Sequence, residues 1–208
     1  MSRAGVAWSG RLRRPGLLMA LGLLWPVLTV QAGGPSGERA PPEVTVINGC
    51  HLWPYARCPG ADLRHASLAG KDLRGADFTG AHLARADLRS ANLAGARLDG
   101  ADLTAVRAYA LNAPGASLRQ ARLVGAHLEM ARLFRADFSG ADLTAANLEA
   151  AKLNFVWFVG ARLVDADLQE AKFNAANLKG ARLDGAMLRY TIFPDAVMDD
   201  CSGCPEGW

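Results

Sequence analysis

From Ala61 the chain repeats every five residues, reading ADLRH, ASLAG, KDLRG, ADFTG, AHLAR, ADLRS, ANLAG and onward. Twenty-seven such pentads run to Asp195 without an insertion. The third position is Leu or Phe in 25 of them and the first is Ala in 22, the exceptions being Lys71, Val106, Leu111, Val156 and Thr191. A period of five fits neither ordinary element. On an α-helix five residues advance about 500°, roughly 140° net, which would scatter the leucines around every side. On a straight strand an odd step sends successive leucines to opposite faces. Within one pentad, however, Ala and Leu are two apart and share a strand face. All of them stay inward only if the chain bends once per pentad in a constant sense. The result is a coil with Ala and Leu inside and the other three positions outside.

This A(D/N)LXX pattern resembles the pentapeptide-repeat family, and the resemblance covers about two thirds of the chain. It implies an all-β fold, a right-handed quadrilateral parallel β-helix with four pentads per turn and about seven coils: 61–80, 81–100, 101–120, 121–140, 141–160, 161–180 and a partial one from 181. Stacked at the strand spacing of about 4.8 Å, these coils would make a rod about 30 Å long. No pentad buries its own Leu; each does so against the pentads above and below. The stretch VRAYA-LNAPG at 106–115 puts Ala108 and Ala113 in the large core position and Val106 and Leu111 in the small one. Core volume is roughly conserved by the exchange, so a local distortion without a break is expected there.

Residues 1–32 have the pattern of a secretory leader. Arg3, Arg11, Arg13 and Arg14 precede an apolar stretch from Gly16 to Val30, and Val30-Gln31-Ala32 offers a cleavage site. An uncleaved anchor is the alternative, although the stretch is short against the roughly 20 apolar residues of a membrane span. Without the four leader arginines, the 23 Lys+Arg of the chain become 19 against 20 Asp+Glu, a formal charge of −1. The basicity therefore belongs to the leader, and a nucleic-acid partner is not expected. The organisation that follows is a leader at 1–32, a flexible Gly/Pro-rich linker at 33–43, an N-terminal cap at 44–60, the repeat at 61–195 and a C-terminal cap at 196–208. The expected location is periplasmic or secreted, with no stable membrane insertion once the leader is removed.

The four cysteines flank the repeat. Cys50 and Cys58 precede it, while Cys201 and Cys204 follow it. With the coil count that the resemblance implies, the two ends lie about 30 Å apart, whereas bridged Cα atoms lie within about 7 Å. Pairing is therefore expected as Cys50–Cys58 and Cys201–Cys204, end-clips suited to an oxidising compartment. A redox or zinc reading of Cys201-Ser-Gly-Cys204 lacks the βαβ context or the further ligands it would need.

Residues twenty apart should stack in columns. One column carries Asp62, His82, Asp102, Arg122, Asp142, Arg162 and Arg182, which reads as a solvated charge ladder, with an acid–base or metal constellation at Asp62-His82-Asp102 as the alternative. A second carries Arg132, Lys152 and Lys172. Beside it Phe134, Phe155 and Trp157 occupy outward positions, with Arg135 among them. Exposed aromatics next to Arg and Lys are typical interface anchors. Burial against the 33–49 segment is the competing account. No nucleophile elbow, phosphate loop or HExxH motif occurs, so no catalytic residue, cofactor or metal is assigned.

The expected function is a non-enzymatic scaffold of the cell envelope or exterior that binds a protein partner through an outer face, with homodimerisation open. Two alternatives remain. Some cytoplasmic members of the resembled family mimic DNA and bind DNA gyrase, which calls for a strongly acidic rod. A carbohydrate-acting enzyme on a β-helix would call for converging carboxylates in a groove.

Overall fold

The computed structural model describes residues 45–206. The leader, the whole linker and Val44 of the N-terminal cap lie outside the described residues. Two short strands open the described chain, β1 (Thr45–Ile47) and β2 (Cys50–Leu52), paired antiparallel with Val46 opposite His51. Asn48 and Gly49 connect them with φ of +49° and +79°. Two successive positive φ values define a type I′ turn, for which Asn-Gly is the favoured pair. The hairpin is fixed to the first coil by Asn48 Nδ2 donating to the Asp62 carbonyl and Lys71 Nζ donating to Thr45 Oγ1, each at 2.7 Å.

Beyond the hairpin the backbone repeats with the sequence. Parallel bridges join each second-position residue to the one twenty later, from Arg57↔Asp77 to Arg182↔Ser202. They form four columns, which begin at Arg57, Asp62, Ser67 and Asp72. Each rung is held by two kinds of hydrogen bond. The Leu63 amide donates to the His82 carbonyl one rung on (2.8 Å), and the His82 amide donates back to the Ala61 carbonyl (2.9 Å). Each bend is a β-turn closed by a bond such as Ala66 N–H to the Leu63 carbonyl at 3.1 Å. Every fifth residue from Tyr55 to Asp200 has positive φ, from +50° to +63° at the non-glycine positions. A positive φ confined to the third turn residue is the type II signature. The left-handed residue reverses the chain after each Leu and brings the next Ala back to the axis.

The first and third positions line one continuous core, with Leu88, Leu93 and Leu148 all buried. The rungs extend past both ends of the 61–195 repeat. In the pentad at 56–60, Cys58 takes the Leu slot, and the pentad at 196–200 bridges back through Val197 to Asn177. Parts of both expected caps are therefore coil. The exchange at 106–115 produces no backbone distortion, contrary to expectation. Ala108 and Ala113 donate at 2.7 and 2.9 Å like their neighbours, and only the turn bond from Ala116 lengthens, to 3.3 Å. The lost volume appears instead as an apolar void of about 10 Å³ beside Ala108 and Ala113, at or below the lower limit for holding a water.

The cysteines pair as Cys50–Cys58 and Cys201–Cys204, with Cα separations of 5.5 and 5.7 Å. Inside the second loop Gly203 (φ +73°) lies against the backbone of the last rung. A Cβ there would meet the Leu183 carbonyl carbon and the Asp184 nitrogen at 2.6 Å.

The left-handed fifth positions permit a direct check. Ala145 sits at φ +54°, a conformation that strains L-alanine and leaves glycine unstrained. Ala145→Gly should raise stability by up to about 1 kcal/mol. Ala146→Gly, one residue on in the core, should lower it by about the same. Thermal melts of the two variants give the comparison, and equal effects would contradict the turn assignment.

Candidate interaction face

Asp or Asn is the commonest choice at the second position, at 12 of the 27 pentads from 61 to 195, and the structure gives the reason. The side-chain oxygen accepts from the amide two residues on, as in Thr79 N–H to Asp77 Oδ1 (3.0 Å), Thr144 N–H to Asp142 Oδ1 (3.1 Å) and Lys179 N–H to Asn177 Oδ1 (3.0 Å). These Asx-type bonds satisfy a turn amide that the rungs leave unpaired. Fourth-position side chains add to them. Arg64 pairs with Asp62 at 2.6 Å, and Asp87 is shared at 2.7 Å by Arg89 and Arg107. The hydrogen bond from the Arg89 side chain, helped by its amide and by the charge of Arg107, outweighs burial and holds the Asp87 carboxyl down at about 2. The Arg64 side chain likewise holds Asp62 well below the usual carboxylate range. At Asp102 burial pushes the carboxyl up, and hydrogen bonds from the Thr104 hydroxyl and amide more than offset it.

The Asp62-His82-Asp102 column does stack, rung on rung. Its carboxylates are taken up by Arg64 and Thr104. Among the described residues no group of three or more His, Cys, Asp or Glu is placed to hold a metal ion.

The Asp72 column behaves differently. It begins as a polar ladder, in which Asn92 Nδ2 donates to Asp72 Oδ1 at 3.3 Å and Asn112 Nδ2 to Asn92 Oδ1 at 3.0 Å. It then continues as Arg132, Lys152 and Lys172 on successive rungs. Among the described residues none of the three is ion-paired with a carboxylate, and none of the amides of Phe134, Asn154 and Asn174, two residues on, makes a hydrogen bond. The buried Oδ1 atoms of Asn154 and Asn174 are also without a partner.

At the next corner the aromatic residues gather. Phe134 and Phe155 meet edge to face, with ring centroids 5.2 Å apart. The Arg135 guanidinium lies over both, 5.2 Å from the Phe134 centroid and 5.8 Å from that of Phe155. Each Phe is about two-fifths exposed, at 39% and 45%. Trp157 lies past that corner in the Arg57 column, between Asp137 and Asn177. It is exposed and makes no ring contact with the phenylalanines. Val159 is exposed beside it in the same pentad. That residue was not singled out from the sequence, although a β-branched apolar side chain in an outward fourth position was a readable signal. Residues 45–49 pack at the N-terminal end of the rod and do not cover the aromatic pair; residues 33–44 lie outside the described residues.

Replacing a cation by a capping side chain tests the role of the second position. Lys152→Asn supplies an acceptor to the Asn154 amide and removes repulsion from Arg132 and Lys172, a gain of about 1 kcal/mol. A melting temperature below that of the wild type would refute the Asx reading of the consensus.

The geometry defines a repeat scaffold, a closed apolar core carrying ladders of outward side chains. The chain belongs to the pentapeptide repeat family, whose model matches eight copies over residues 56–93, 72–104, 114–149, 146–185 and 166–202. Among solved structures, a trypsin-treated variant of QnrB1, described as a plasmid-mediated fluoroquinolone resistance protein, aligns with a TM-score of 0.56 at 17% identity over 67% of this chain and 80% of that one. That likeness is one of fold. HetL, a pentapeptide repeat protein involved in heterocyst differentiation regulation from the cyanobacterium Nostoc sp. strain PCC 7120, aligns at 26% identity over 69% of this chain and 87% of its own, with a TM-score of 0.36. No curated protein sequence matches the chain.

Proposed function

We propose that this protein is a non-enzymatic interaction scaffold of the cell envelope or exterior, a right-handed rod of about seven coils that binds a protein partner through one corner of its surface. The observation that carries this reading is the Phe134–Phe155 pair, held in solvent under Arg135 on a rod whose consensus turns its apolar side chains inward. Exposed aromatics clamped by an arginine have the composition of a binding anchor. Trp157 and Val159 extend the patch around the corner. The envelope or extracellular address rests on residues 1–32. Unpaired cations along the Asp72 column count against a DNA-mimicking surface, which would present the opposite charge. Engagement of Asp62, Asp102 and Asp142 with neighbouring arginine or threonine side chains counts against a carbohydrate-acting site built on that column. Homodimerisation is compatible with the same patch.

The test is a pull-down from envelope extracts with the full chain and with the triple variant Phe134→Ser, Phe155→Ser, Trp157→Ser. Loss of the captured partner is expected in the variant. Recovery of the same partners by both proteins would remove the patch from consideration.

A further inference from the structure

The corner just described borders a column that departs from the rest of the rod. Elsewhere, second-position cations alternate with acids or amides, or reach one: Arg97 lies 3.7 Å from Asp77, Arg162 lies 3.9 Å from Asp142, and Arg182 lies 3.2 Å from Asp184. Arg132, Lys152 and Lys172 form the one run of three cations on successive rungs among the described residues. The pentads of this column from Ala91 to Ala175 contain no Asp or Glu. Like charges directly opposite one another on neighbouring strands destabilise a sheet. The same substitutions also give up the Asx bond to three consecutive turn amides. This strip therefore sacrifices stability twice, locally and repeatedly, which marks it as a surface kept for something other than folding.

Building on the interaction reading above, we infer that the Arg132–Lys152–Lys172 column binds a carboxylate-rich, extended segment of the partner protein, whose apolar side chain meets the Phe134–Phe155 pair. Ammonium and guanidinium groups, together with unpaired turn amides, are donors without acceptors, and carboxylates are the acceptors that complete them. The spacing suits a peptide strand. Three rungs span about 10 Å, and alternate side chains of an extended chain lie about 7 Å apart, so two acidic residues in Glu-x-Glu spacing fall within reach of the long side chains of the column. Arg135, already over the two rings, lies where such a segment would pass from its acidic part to its apolar part. Glu129 and Glu149 lie in outward fourth positions of the adjoining column and make no ion pair with Arg132 or Lys152. They repel acid on that side and so direct the segment toward the aromatic corner.

The test is a fluorescence titration of the full chain with a labelled peptide that has Glu at alternate positions and a single Phe, set against its Lys counterpart. The Glu peptide should bind, and the Lys peptide should not. The variant Arg132→Gln, Lys152→Gln, Lys172→Gln should weaken binding by about tenfold or more and remove most of its salt dependence, while melting at the wild-type temperature or above it. Unchanged affinity in this variant would overturn the inference, and so would a loss of affinity accompanied by a lower melting temperature, because the cations would then be structural. Tighter binding of oligothymidine or of phosphatidylglycerol vesicles than of the Glu peptide would overturn it as well, in favour of a phosphate polymer or a lipid surface. The pull-down separates the two levels. A partner lost with the aromatic variant but kept by the glutamine variant preserves the docking corner and eliminates the acidic segment.

Discussion

Phe158→Ala should lower the stability of the rod by about 3–5 kcal/mol, the range for removing a fully buried aromatic ring. Phe158 has no exposed surface and lies at the centre of the aromatic part of the core. Its ring stacks on Phe138 one rung away at 5.1 Å and tilts against Phe173 at 5.8 Å, and Phe173 in turn stacks on Phe193 at 4.8 Å. Ala leaves a ring-sized cavity that the neighbouring rungs cannot fill without leaving their hydrogen-bonded spacing. In a solenoid each rung interacts only with its neighbours, so the damage should be local. Urea unfolding should show a lower midpoint. Hydrogen exchange should show amides from about 159 to 202 losing protection before those of the N-terminal rungs. A loss below about 1 kcal/mol, or uniform loss of protection along the rod, would mean that the rings do not form a shared stack.

The second large effect is expected at the opposite end. The pair Cys50→Ser, Cys58→Ser should cost about 2–3 kcal/mol, since it opens a short loop in the unfolded chain and places two hydroxyls in buried positions. Both sulfurs lie within the core, Cys58 in the slot that a Leu fills in later pentads. The hairpin would then be held to the first coil by the burial of Leu52 and by the bonds from Asn48 and Lys71. The matching change at Cys201 and Cys204 opens a smaller loop at half-exposed positions and should cost less, which calorimetry on the two double variants can rank. If the two costs are equal, or the C-terminal one is larger, the N-terminal clip is not the stronger anchor.

The inward set of alanines and leucines was legible because a five-residue period has one solution that keeps Ala86, Leu88, Ala91 and Leu93 on a common axis. The columns followed from it, and the meeting of Phe134 with Phe155 is a consequence of stacking rung on rung. The limits of the coil were less legible. At 56–60 a cysteine replaces the Leu, and at 196–200 Met198 does, so a rule written on Leu stops too early at both ends although the backbone continues. The hairpin was hidden because the strand signal at 44–47 draws attention away from Asn48-Gly49 behind it. The meaning of the second position was also missed. From sequence, Asp62, Asp102 and Asp142 read as one rail of a charge ladder, whereas in the folded chain each caps its own turn, a local geometry that charge counting does not reveal. Volume exchange at 106–115 foretold the right core but the wrong consequence, because side-chain packing absorbed as a small void what had been assigned to the backbone.

The left-handed residue at the end of each pentad limits how such a rod can diversify. A side chain branched at Cβ is sterically excluded from that conformation, and proline is barred by its fixed negative φ. From Tyr55 to Asp200 no Val, Ile, Thr or Pro occupies a fifth position, although valines stand freely in fourth positions at Val124, Val159 and Val164. The fifth positions therefore draw on a restricted alphabet of Gly, Ala and side chains unbranched at Cβ, while the second and fourth positions draw on a broader one. A lineage changing its binding partner could rewrite the second and fourth positions residue by residue, but could alter a fifth position only to something like the Phe155 ring or the Arg135 guanidinium.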